Sequence, residues 1–150
     1  MKRYTAGLLA AVSLLGFASC NRRGASTSTG PTLYPFTVDR FSQASPLERT
    51  LHIANQDKAV WVAYEAKHTL TITFNSKLYP AIAKGEPPFE GGANGADQVL
   101  SDTSGTVYSP AINHKLKDVF AANPGVTELD YTFDQKVDTL TKDGRIIIMK

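Results

Sequence analysis

A chain of 150 residues with 16 Lys and Arg against 14 Asp and Glu is close to neutral. It lacks the clustered positive face that nucleic-acid binding requires. Its one cysteine, Cys20, excludes an internal disulfide framework, so a folded domain must be held by its hydrophobic core alone.

The first residues read MKRYTAGLLAAVSLLGFASC. Lys2 and Arg3 supply a positive start, and Ala6 to Ala18 form an apolar stretch too short for a membrane-spanning helix of ~20 residues. A charged start, a short apolar core and small residues at the end predict a secretory signal over residues 1–19. Phe17-Ala18-Ser19-Cys20 then resembles the bacterial lipobox, although that pattern prefers an aliphatic residue where Phe17 stands. The resemblance implies a lipoprotein with its anchor on Cys20. It also implies export from the cytoplasm and a place on the cell membrane or outer membrane. An ordinary signal with a chance cysteine, or an uncleaved anchor, are the alternatives. Removing Lys2 and Arg3 leaves 14 basic residues against 14 acidic, so the mature chain is formally neutral.

Residues 20–32 continue from Cys20 through NRRGASTSTGPT, almost without apolar side chains, and read as a flexible tether. A β-rich domain is expected over 33–150. Period-two alternation marks strands at Tyr34–Val38, Leu51–Ile53, Val60–Tyr64, Thr69–Phe74 and Leu129–Phe133. Asp143-Gly144 reads as a hairpin turn pairing Arg145–Met149 with Val137–Leu140. Between Tyr79 and Gly105, three prolines and several glycines disfavour regular structure, and a loop of that length is often functional. One short helix is expected at Asn113–Ala122, stopped by Pro124-Gly125. The fold class is therefore mainly β, an antiparallel β-sandwich or open barrel with at most one short helix.

No constellation for catalysis stands out. His52, His68 and His114 form no metal-ligand spacing, and no Gly-x-Ser-x-Gly elbow is present. Gly91-Gly92-Ala93-Asn94-Gly95-Ala96 lacks the preceding buried strand and following helix of a phosphate-binding loop. No catalytic residue, metal or cofactor is assigned. Asp130, Asp134 and Asp138 are read as charges on an exposed sheet edge. The candidate ligand contacts are Trp61, Tyr64, Tyr79, Phe89, Glu90 and Asn94, with Tyr108 as a further aromatic. Aromatic faces stack on sugar rings, while the competing account of each ring is core packing.

Tyr34-Pro35-Phe36 with Arg40, Leu51-His52-Ile53, Trp61-Val62-Ala63-Tyr64-Glu65 and Phe89-Glu90-Gly91-Gly92-Ala93-Asn94 form a recognisable set. Together with Asp130-Tyr131-Thr132-Phe133 and Asp143-Gly144-Arg145, it resembles a β-rich region of larger secreted bacterial proteins. Those proteins also carry c-type cytochrome or sugar-active domains. This chain has no Cys-x-x-Cys-His, so covalent haem and electron transfer do not carry over. It stops at Lys150, where the larger proteins continue, and reads as a stand-alone or a truncated version.

The expectation is a lipid-anchored envelope protein whose β domain binds a carbohydrate or a partner protein through the Tyr79–Gly105 loop, with no nucleic-acid partner. The alternatives are a hydrolase using Glu90 or Glu65 with one histidine, and a purely structural envelope protein.

Overall fold

Alternating apolar side chains drive this chain into two stacked sheets. The computed structural model describes residues 31–38, 47–63 and 67–150. The expected signal segment, Cys20, Arg40, Tyr64 and Glu65 lie outside them. The strands are β1 (Leu33–Val38), β2 (Leu47–His52), β3 (Lys58–Ala63), β4 (Leu70–Phe74), β5 (Gln98–Asp102), β6 (Thr106–Tyr108), β7 (Glu128–Val137) and β8 (Leu140–Met149). One helix, α1 (Lys115–Ala122), lies between β6 and β7.

The sheet orders are β1-β3-β6 and β2-β8-β7-β4-β5, which makes a β-sandwich and not a closed barrel. Four of the pairings are antiparallel, but β1 with β3 and β2 with β8 run parallel. The reason is the chain path. It changes sheets between β1 and β2 and again before β3, so β1 and β3 are not joined by a hairpin.

Leu70, Ile72 and Phe74 of β4 point inward. Leu129, Tyr131, Phe133, Gln135 and Val137 of β7 do the same, as do Ile146 and Ile148 of β8. Between the sheets the Phe36 and Trp61 rings stack at 5.3 Å, and Phe133 meets Trp61 edge-on at 5.5 Å. Each such pair contributes about 1 kcal/mol beyond its buried area.

Three expectations are corrected. The hairpin turn lies at Asp138-Thr139, not Asp143-Gly144, and Val137 pairs with Leu140. Asp138 adopts φ +54, a left-handed conformation that Asp tolerates. Gly144 serves packing instead: it sits opposite Phe133, whose Cζ would lie 2.2 Å from a Cβ at that position. Secondly, Asp130 and Asp134 are not edge charges. They stand on β7, which is flanked by β8 and β4, and Asp138 is in the turn. Thirdly, β5 and β6 form where no strand was expected. Both lie at sheet margins, where half-exposed polar residues blur the alternation.

α1 forms close to expectation, burying Leu116 and Phe120. Asn113 Oδ1 accepts from the Lys115 N–H at 3.1 Å and satisfies a donor of its first turn. Among the described residues no helix is long and apolar enough to cross a membrane.

Candidate functional site

The segment joining β4 to β5 carries most of the expected contacts, and it is built rather than loose. Two short 3-10 turns, Ser76–Leu78 and Ala81–Ala83, start it, and Phe89 bridges to Ile112 ahead of α1. Gln98, 4% exposed, replaces a missing strand partner: its Oε1 accepts from Phe89 N–H and its Nε2 donates to the Phe89 and Glu90 carbonyls. Asp97 accepts from the backbone and hydroxyl of Ser76, both at 2.8 Å.

Among the described residues, three of the expected platform rings are not at the surface. Trp61 and Phe89 are fully buried, with ring centroids 6.2 Å apart, so neither can stack on a ligand from solvent. Tyr79 is buried against Tyr131, and its hydroxyl donates to the Phe74 and Ala96 carbonyls. Core packing wins for all three because the narrow space between the sheets is filled by large rings. Tyr108 stays outside at 63% exposure. Glu90 and Asn94 reach the surface, but they line different hollows.

Asn94 belongs to a network centred on Glu86. Glu86 Oε1 accepts from Asn94 Nδ2 at 2.8 Å and lies 3.5 Å from Lys115 Nζ. Its Oε2 accepts from Asn113 Nδ2 at 3.2 Å. Burial pushes the Glu86 carboxyl up, but the two amides and the Lys115 ammonium outweigh it, and its pKa falls below the ordinary value. The buried Asn113 amide also donates to the Pro87 carbonyl at 3.0 Å, so its donors and acceptor are all used. Together these bonds hold the loop against the start of α1.

Beside that network lies a cleft of about 310 Å³. Lys84, Asn94, Lys115, Asp118 and Asn123 supply polar groups around it, and Ile82, Val119 and Ala122 supply apolar surface. Charges of both signs, amides and a small apolar floor together suit a neutral polyhydroxylated molecule better than an ion.

Glu90 is held to the other side of the helix start. Its Oε1 accepts from the His114 N–H at 2.7 Å and lies 2.6 Å from His114 Nδ1. Those two contacts, led by the backbone N–H, keep the carboxyl below its ordinary pKa. A hollow of about 250 Å³ adjoins the pair, walled by Ile53, Gln56, Ile112 and Lys117. Among the described residues no three His, Cys, Asp or Glu side chains gather to hold a metal ion.

Sequence reasoning singled out Glu90 and Asn94, set Glu86 beside Glu90 only as an acid near the loop, and gave Asn113 and Lys115 no role beyond the expected helix. Asn113 did carry a signal, as an amide residue at the start of an amphipathic helix. Glu86 carried none, because its importance comes from partners 8 and 27 residues away. No protein family, curated protein or solved structure matches the chain.

Proposed function

We propose that the chain is an envelope lipoprotein, anchored through Cys20, whose β domain is a binding module for carbohydrate in the loop–helix cleft. The observation that carries this reading is the Glu86 network, which fixes a wall of the cleft before any ligand arrives. A preformed polar site loses little ordering entropy on binding. Amides, ammonium groups and a carboxylate converging on one cleft are the donors and acceptors that sugar hydroxyls need.

The test is a glycan array of bacterial cell-surface oligosaccharides probed with the mature protein, followed by titration of any hit. Lys84→Ala with Lys115→Ala, both exposed positions, should weaken a true ligand about tenfold or more, ~1.4 kcal/mol. An array without hits, or affinity unchanged in that double variant, would sink the reading. The Glu90–His114 pair is the observation that favours a hydrolase instead. Against it, a general acid needs a raised pKa, and the Glu90 carboxyl is shifted the other way. Turnover of a bound oligosaccharide that vanishes in Glu90→Gln would replace binding by catalysis.

A further inference from the structure

The two ends of the five-stranded sheet are finished differently. At the β2 end, Arg49 Nε donates to the Pro35 carbonyl at 3.0 Å, and its guanidinium lies 5.5 Å from the centre of the Phe36 ring. That side chain spans from one sheet to the other and covers the margin. At the other end, β5 pairs with no strand on its outer side among the described residues, and β6 faces it across a hollow.

Open strand edges are normally blunted by charges along the strand, by Lys or Pro above all, or by a bulge, whereas β5 carries one charge, Asp102, at its end. Gln98-Val99-Leu100-Ser101-Asp102 contains neither Lys nor Pro, and its register against β4 runs without a break. Two adjoining hollows of about 370 and 410 Å³ run along it and share Val99, Leu100 and Pro110. Val99 and Tyr108, 57% and 63% exposed, put apolar surface beside the open edge. The charged residues lining the trough are Glu90, Asp97 and Asp102, with no Lys or Arg among them.

We propose that the outer edge of β5 receives an extended, basic peptide segment of a partner protein as an added strand. Backbone pairing would supply affinity, Val99 and Tyr108 would cover alternate apolar side chains, and the acids would select Lys or Arg. Hydrogen bonds from Ser76 to Asp97, and from Ser104 to Asp102, hold both carboxyls below their ordinary pKa. A second copy of this chain is the poorer occupant, because its own acids would face these. The trough shares no lining residue with the loop–helix cleft, so this proposal stands or falls separately from carbohydrate binding.

The experiment uses the mature protein and short labelled peptides of alternating Val and Lys, with Val–Glu and centrally Pro-substituted counterparts. Fluorescence anisotropy should show binding of the Lys peptide alone, weakening as salt rises. Hydrogen exchange should slow at amides within Gln98–Asp102. Val99→Arg, at an exposed position, should cut affinity about tenfold, ~1.4 kcal/mol, without lowering the melting temperature. If that variant melts early, Tyr108→Ala should give the same loss. The proposal is overturned if the Lys peptide fails to bind, or the Glu or Pro peptide binds equally well. It is also overturned if protection falls outside β5, or if the free protein dimerises through this edge.

Discussion

Gly144 is where one side chain decides whether two long strands can pair. Its Cα lies under the Phe133 ring, and a Cβ would come within 2.2, 2.5 and 2.8 Å of three ring atoms. The ring cannot swing away, because Phe36, Trp61 and Phe74 surround it at centroid distances of 5.2, 5.5 and 5.4 Å. Gly144→Ala should therefore destabilise the protein by about 3 kcal/mol, the upper range for overpacking a dense core. Phe133→Ala alone should cost about 3–5 kcal/mol by opening a cavity. In the double variant the new methyl enters that cavity, so the two costs should not add. Urea denaturation of the four proteins checks this, and additive losses would refute the steric account. The same residue shows how sequence can mislead. Asp143-Gly144 has the composition of a turn, yet a glycine opposite a phenylalanine serves equally well to let a ring cross the backbone. Nothing local separates the two uses. The true turn at Asp138-Thr139 lacks glycine and gives a weaker signal.

At the scale of elements, the loop from Ser76 to Gln98 is attached to its surroundings by carboxylates. Glu86 holds Asn94, Asn113 and Lys115, Glu90 holds the His114 amide, and Asp97 holds Ser76. All three carboxyls titrate below their ordinary values in the folded protein. A depressed folded pKa means stabilisation that is complete above the unfolded value, near 4 for these groups, and lost as pH falls through the folded one. Asp134 has the opposite sign. Burial, then the facing Asp143, raises its pKa, so its ionisation is a penalty relieved as pH falls from neutral. Acidification below about pH 4 should therefore release the loop while easing strain on the β7–β8 hairpin. Hydrogen exchange followed with pH should show the Gly95 and Glu90 amides, bonded to Gly85 and Ala111, losing protection before amides within β7. In Glu86→Gln the loop should be looser already at neutral pH and respond less to acid. Simultaneous loss of protection in loop and hairpin would refute a separate carboxylate latch. The strands β4 and β7 were legible because each buries one clean face. This latch was not, since its bonds join residues far apart in sequence whose types say only that they are polar.

For the whole molecule, the described core begins only after residue 32. Every described core side chain comes from Phe36 onward, and the chain is tied in at Thr32, which donates to Asp57 and accepts from the Lys58 N–H. Ahead of that point lie a polar stretch, one cysteine and an apolar segment. If residues 1–19 are removed, 14 basic and 14 acidic residues remain, and Arg22 and Arg23 beside Cys20 would add only about 1 kcal/mol each at an anionic membrane. Membrane attachment would then have to come from lipid on Cys20, at ~0.8 kcal/mol per buried methylene, with two acyl chains needed for stable anchoring. Expressed in a bacterial host, the protein should partition into detergent, with an intact mass equal to residues 20–150 plus a diacylglyceryl group or a further acylated form. Cys20→Ala should move it to the aqueous phase while its thermal unfolding stays unchanged, because the described core is built from residues Phe36 onward. Wild-type protein recovered from the aqueous phase without lipid would refute the anchor and leave the loop–helix cleft and the β5 edge to be tested as sites on a protein of different address.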